Sequence, residues 1–393
     1  MLIQKEKVEQ AIAYLNEGYA DAWLIYASES SDPCLSLIPG VASVGPGIFI
    51  FTKEGGRYAV CNSIDAQDIE ESGIFDEVIK PDSSIEESLC ELIRRIAPKK
   101  IALNYSVEEP LADGLTTGRY RWLMKTLFEF DEIEYISSET LLTKIRSIKS
   151  DSELAAIQKA VDITVDIYEA AFNRLRVGMS EIEAGDLFVQ ELKKRGVVNG
   201  VDRTASCPIV MKENIAHRPP GKAVIEAGDL VIFDFSVEYE GYVSDIARTV
   251  YFLKKDETEA PEKIRNTFKT IHEAITMAKE AMRPGVKGFE IDQIAREHYR
   301  ENGYPDITHA TGHQIGKDVH DGGALLAPRW ERYGNSPYLE LESRMVFTIE
   351  PTIFMDDGIH FIVEENVVVT EDGAEWLSIR QDEVICIPWG GDA

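Results

Sequence analysis

The chain has 393 residues, an apolar share of 44% and a formal net charge of −28. Its length exceeds what one core usually fills and predicts two domains. The acidity excludes a nucleic-acid binder, which needs basic patches, and no apolar run approaches a membrane span. The five cysteines, Cys34, Cys61, Cys90, Cys207 and Cys386, are dispersed, odd in number and show no CxxC spacing. That pattern predicts buried thiols in a reducing, cytoplasmic setting.

The start, MLIQKEKVEQAIAYLNEG, is too polar for a signal peptide and reads as an amphipathic helix. From residue 20 to about 140, strand-like and helix-like segments mix. Ala22 to Ala27 and Lys100 to Asn104 read as strands, and Gly47 to Asn62 as a hairpin around Glu54-Gly55-Gly56. Ser84 to Ile96 reads as a helix with a capping box from Ser83 to Glu86, and Arg119 to Phe128 as another helix. Asp65, Asp68, Glu70 and Glu71 read as a solvated helix face. This mixing predicts an α/β domain over residues 1–140 that carries no chemistry of its own. The basic run 141–150, LLTKIRSIKS, reads as a linker to a second domain, 151–393.

The second domain contains a repeat. A long helix from Asp151 is followed by RVGMSEIEAGDLFVQELKKRG, with a capping box from Ser180 to Glu183 and a C-cap at Gly196. A second long helix, Pro261 to Met282, is followed by RPGVKGFEIDQIAREHYRENG, also 21 residues. Each half then has a strand ending in a carboxylate, Asp234 or Glu350, and a returning strand with another, Asp245 or Glu364. In the first half, GDLVIFDFSVEYEGYVSDIARTVYF reads as a β-hairpin turning at Glu240-Gly241. An even loop places Asp234 and Asp245 on one face, opposite or diagonal to each other. Two facing carboxylates among Val, Ile and Phe call for a cation, against the plainer alternative of caps or a salt bridge to Arg248. The second hairpin turns near Asp357-Gly358, with its register open. A pseudo-two-fold between the halves brings four carboxylates together, enough for two divalent ions.

All seven histidines lie between residues 217 and 360. His272 and His298 fall in helices as packing or surface residues. His217 precedes the first hairpin, and His309, His313 and His320 lie in THATGHQIGKDVHDGG. Gly312 and Gly316 flank His313, which makes it the candidate fifth ligand. Imidazole with carboxylates suits Mn, Co, Fe or Zn more than Ca.

These motifs, DFx9D from Asp234 to Asp245, GHQIG with His313, TIEP with Glu350 and VEEN with Glu364, resemble the pita-bread metallopeptidases. That group includes Xaa-Pro dipeptidases (prolidases), aminopeptidase P and methionine aminopeptidases. The resemblance runs from about Lys149 to the C-terminus, and residues 1 to 140 are similar to the N-terminal domain of the prolidase and aminopeptidase P branch. It implies an α/β N-terminal domain joined to an α+β pita-bread, creatinase/aminopeptidase-like domain. It further implies two divalent metal ions, Mn or Co before Zn or Fe, on Asp234, Asp245, His313, Glu350 and Glu364. Asp245 and Glu364 then bridge the metals, Asp234 chelates one, and His313 and Glu350 hold the other. Glu350 is the implied proton shuttle, and His217 and His320 match the two further active-site histidines. Glu365 is read as a supporting or surface residue, and His360 matches no motif. The chain departs from the pattern at Gln314 and Thr352, where Gly is frequent, and at Ile362, where prolidases often carry Arg. Arg329 and Arg332 are candidates for gripping a substrate carboxylate, against a structural loop salt bridge. The implied function is a dinuclear Xaa-Pro dipeptidase, a homodimer acting on proline-containing peptides. The alternatives are an aminopeptidase P-like enzyme, a creatinase-like amidohydrolase and a non-catalytic binding module.

Overall fold

A computed structural model describes residues 2–29, 31–38, 45–81, 84–212 and 218–390. The chain forms two compact units, Met1–Arg146 and Ser147–Ala393. No helix among the described residues is long and apolar enough to cross a membrane.

The first unit holds strands β1 (Ala22–Ala27), β2 (Gly47–Thr52), β3 (Arg57–Val60), β4 (Glu77–Ile79), β5 (Lys100–Leu103) and β6 (Glu134–Ser137). They form one mixed sheet in the order β4-β3-β2-β1-β5-β6. Its helices are α1 (Leu2–Asn16), α2 (Ala66–Glu71), α3 (Ile85–Ile96), α4 (Thr117–Thr126) and α5 (Glu139–Ser147). Alternate residues of β1 feed opposite cores: Trp23 and Ile25 pack on one face, Leu24 and Tyr26 on the other. A strand buried on both faces reads as a continuous apolar run, as AWLIYA does.

Three expectations change here. Ser83 lies outside the described residues, and the cap of α3 is its neighbour Ser84, whose extended backbone aims Oγ at the Glu87 amide. Asp65 is buried rather than solvated, because its carboxylate accepts from Asn62 Nδ2 (2.9 Å) and the Gly45 amide (3.0 Å). The run expected to be a linker is largely helix α5, whose Leu141, Leu142 and Ile145 are buried in the core of the first unit.

The second unit opens with α6 (Asp151–Phe172) and α7 (Glu181–Arg195). Both carry complete capping boxes, Ser150 with Glu153 and Ser180 with Glu183, and α7 ends at Gly196 with φ +69°. Strands β7 (Val198–Asn199), β8 (Ile209–Met211), β9 (Leu230–Phe235), β10 (Val237–Tyr239), β11 (Tyr242–Val243) and β12 (Ile246–Phe252) follow. Next come α8 (Glu262–Ala281), α9 (Gly288–Glu301), β13 (Val346–Ile349), β14 (Thr352–Phe354), β15 (His360–Ile362), β16 (Glu365–Val369), β17 (Ala374–Trp376) and β18 (Ile385–Ile387). The repeat is therefore real in three dimensions: two helices and an antiparallel hairpin occur twice. Each half packs its own core. Tyr168, Phe172, Phe188, Phe233 and Phe235 interlock in the first. Phe268, Ile271, Ile275 and Tyr299 of α8 and α9 pack with Phe347 and Ile349 of β13 in the second.

Candidate metal centre

Asp245, Glu350 and Glu364 sit at breaks in the hairpin strands, and Asp234 lies within β9. In the first hairpin, β9 pairs with β12 and β10 with β11, in one continuous register. Asp234 stands opposite Ala247. Asp245 follows the short β11, two residues before Ala247, so the two acids share a face as diagonal neighbours. In the second hairpin, Ile349 faces Glu365 and Thr352 faces Ile362. That shared register places Glu350 and Glu364 between them, facing each other. The turn lies at Asp356 to Gly358, where Gly358 has φ +87°.

His313 reaches the acids because residues 311–315 run beside β13 as an irregular extra strand. The Glu350 amide donates to Thr311 O (2.7 Å), the Thr348 amide to His313 O (2.8 Å) and the Ile315 amide to Val346 O (3.1 Å). The His313 amide donates to Thr348 Oγ1 (3.0 Å). Gly312 is required at this approach, since a Cβ there would lie 2.1 Å from Thr348 O.

One ligand atom each of Asp245, His313 and Glu364 lies within 4.8 Å of the others, a grouping able to hold a metal ion. His313 Nε2 is 3.3 Å from Glu350 Oε1 and 3.7 Å from Asp245 Oδ2. Asp245, His313 and Glu364 are buried, while the Glu350 side chain keeps 21% exposure. Among the described residues, no Lys or Arg forms an ion pair with Asp245, Glu350 or Glu364. Burial and the neighbouring Asp234 charge push the Asp245 carboxyl well up. Burial and the charges of Asp245 and Glu350 do the same to Glu364. Burial alone would depress the His313 imidazole, but its hydrogen bond with Glu350 and the nearby carboxylates outweigh that and push it up to about 9. Burial alone would raise Glu350, and the His313 contact overrides it downward. Carboxylates whose charge is disfavoured by burial and by one another are what a divalent cation relieves. The donor set, carboxylates with one imidazole around a shared space, thus fits such ions.

The other expected residues divide. The His320 ring lies 4.4 Å from the His313 ring, centroid to centroid, and the residue is exposed. His217 lies outside the described residues. Arg329 rests 4.9 Å over the Phe289 ring of α9, at a cavity of about 590 Å³ that Arg296 and Trp330 also line. Arg332 donates to Thr308 O (2.9 Å) and covers the Trp330 ring.

Sequence reasoning left several partners unassigned. Of the two roles open to Glu365, the structure gives the supporting one: it is fully buried and pairs with Arg248 (3.0 Å), Ser378 Oγ (2.5 Å) and the Gln381 amide (2.9 Å). Arg248 is thus committed to Glu365 rather than to Asp234 or Asp245. His360 is buried in β15, with Nε2 3.1 Å from Leu230 O. His309 reaches the Thr352 hydroxyl (2.9 Å), two residues beyond Glu350. Its position four residues before His313, in the same Gly-flanked segment, was the available signal. Gln314, where Gly is frequent, is buried and donates to Ser147 Oγ (3.1 Å).

Comparison with known proteins agrees with this arrangement. Residues 155–371 match the model of metallopeptidase family M24. The Xaa-Pro dipeptidase of Pyrococcus furiosus is 32% identical over 256 residues, covering 64% of this chain and 69% of that protein. The structure of an Xaa-Pro dipeptidase from Bacillus anthracis superposes with a TM-score of 0.77 at 24% identity, covering 98% of this chain and 100% of that one. An X-Pro aminopeptidase from Thermotoga maritima gives 0.75 at 24% identity, with 97% and 99% coverage. These last two share the fold. The chain therefore belongs to metallopeptidase family M24, has the pita-bread fold, and is a metallo-exopeptidase.

Proposed function

We propose that the enzyme is a dinuclear exopeptidase cleaving Xaa-Pro bonds, with the dipeptide as its preferred length. The observation that carries this reading is the convergence of Asp245, His313 and Glu364, with Glu350 beside them, and no Lys or Arg paired to these acids among the described residues. In this reading Asp234, Asp245, His313, Glu350 and Glu364 hold two ions, Mn²⁺ or Co²⁺ before Zn²⁺ or Fe²⁺. Bound ions supply acidification of water and polarisation of the scissile carbonyl. Glu350, the partly exposed acid, takes the proton from the attacking water and passes it to the prolyl nitrogen. His313 Nε2 and Glu350 Oε1, 3.3 Å apart, would hold one of these ions together. His320, ring against ring with His313, and His217 are assigned the role of donors to the developing oxyanion. The named dipeptidase relative supports the substrate class.

Residues 1–140 serve as the prolidase-like N-terminal domain and 151–393 as the catalytic domain. The enzyme acts as a cytoplasmic homodimer, in keeping with five free cysteines. Light scattering that returns a monomer removes the dimer.

The deciding experiment is hydrolysis of Leu-Pro and Leu-Pro-Pro by metal-stripped protein, with and without Mn²⁺ or Co²⁺. Metal-dependent release of proline from Leu-Pro supports the dipeptidase. Preference for Leu-Pro-Pro moves the assignment to the aminopeptidase, the activity named for the Thermotoga maritima neighbour. Two bound ions without turnover point to a creatinase-like amidohydrolase.

A further inference from the structure

Asp245 and Glu364 lie 119 positions apart, yet the backbone polar groups of each are bound by the other's strand. The break between β11 and β12 leaves the Asp245 peptide without a ladder partner. The Asn366 side chain takes that place: its Oδ1 accepts from the Asp245 amide (3.1 Å) and its Nδ2 donates to Asp245 O. In the other direction, the Glu364 amide donates to Ala247 O (3.1 Å) and Arg248 Nη1 donates to Glu364 O (2.7 Å). Each strand thus lends a side chain to the other's acid. Asn366 is fully buried, and its own amide is fixed by Ser378 Oγ (3.1 Å). A buried amide that makes both bonds to one peptide has a single favourable orientation.

We propose that Asn366 is a positioning residue that sets the separation of Asp245 and Glu364, and through it the capacity of the site to hold its second ion. The proposal rests on the reading of these two acids as ligands shared between two ions. Hairpin contacts within either half could let the two acids drift apart, whereas the carboxamide ties their strands together two residues from Glu364. Aspartate at this position would set an acceptor against Asp245 O and add charge to an acidic cluster. A residue that only satisfied buried backbone would affect folding and both ions alike.

The test compares the parent protein with Asn366→Ala and Asn366→Asp, loaded with Mn²⁺. Calorimetry and elemental analysis give stoichiometry, and electron paramagnetic resonance distinguishes an exchange-coupled ion pair from isolated ions. The expected result is an intact first site, a second site weakened about 10- to 100-fold, and loss of the coupled signal. kcat should fall more than KM changes. Two ions bound at parental affinity with an unchanged coupled spectrum would overturn the proposal. If neither variant folds, hydrogen exchange on the unmodified, metal-free protein decides: the Asp245 amide should be protected as strongly as that of Arg248, which pairs with Phe233 in the β9–β12 ladder, and fast exchange there sinks the idea. A parent that binds no Mn²⁺ at all refutes the underlying metal reading instead.

Discussion

Glu350 and Glu364 face each other across the second hairpin, while Asp234 and Asp245 are offset by two residues across the first. The two halves thus repeat the chain's path without repeating the geometry of their acids. Glu364 is the more deeply buried of its pair, with its carboxyl pushed well up by burial and by Asp245.

Glu364→Gln removes a charge that the metal-free fold tolerates poorly. At pH 8 the metal-stripped variant should melt at or above the parental temperature, and the thermal shift on adding Mn²⁺ should vanish. A parental Mn²⁺ shift in the variant would show that Glu364 is not part of the site.

Gly312→Ala forces a Cβ against Thr348 O, in the residue whose amide and hydroxyl carry the bonds aligning His313 with β13. The expected cost is about 1–3 kcal/mol of stability together with weaker metal binding. Urea unfolding with EDTA and with Mn²⁺ separates the two effects, and parental values in both would refute the close approach.

The Arg248–Glu365 pair is buried on both sides. Glu365→Ala leaves an uncompensated guanidinium and should cost about 3–5 kcal/mol. The double variant Arg248→Met with Glu365→Leu should recover part of that loss. It should still impair metal binding, because Arg248 also holds Glu364 O. A double variant less stable than Glu365→Ala would contradict this account.

Glu181 closes both ends of the segment that carries His217. Its carboxylate accepts from the Lys212 amide (3.1 Å), the Gly221 amide (2.7 Å) and both Arg218 Nη atoms (2.7 and 2.8 Å). Burial alone would raise its pKa, but these donors prevail and lower it. A depressed carboxyl contributes stability that is present above its ordinary value and lost as pH falls through the folded one. Glu181→Gln should therefore lower stability at neutral pH and flatten its loss on acidification below about pH 4.5. Melting temperatures from pH 3 to 7 check this. Equal slopes in parent and variant would exclude the role.

Much of this protein was fixed by its sequence through short-range rules. The capping box at Ser180, the helix end at Gly196, the hairpin turn at Glu240-Gly241 and the order of the four strand acids all depend on residues within a few positions of one another. Local steric and hydrogen-bonding preferences therefore suffice to read them. The tertiary structure alone decided which long-range partner each buried polar group takes. Arg248 could have met Asp234 or Asp245 by sequence, but Glu365 closes on it from 117 positions away. His360 turned inward because Leu230 O offers it an acceptor, and Asn366 found the Asp245 peptide because the ladder breaks there. Such pairings arise when two hairpins pack and their buried donors and acceptors must be satisfied together. That condition belongs to the folded molecule and to no single stretch of its chain.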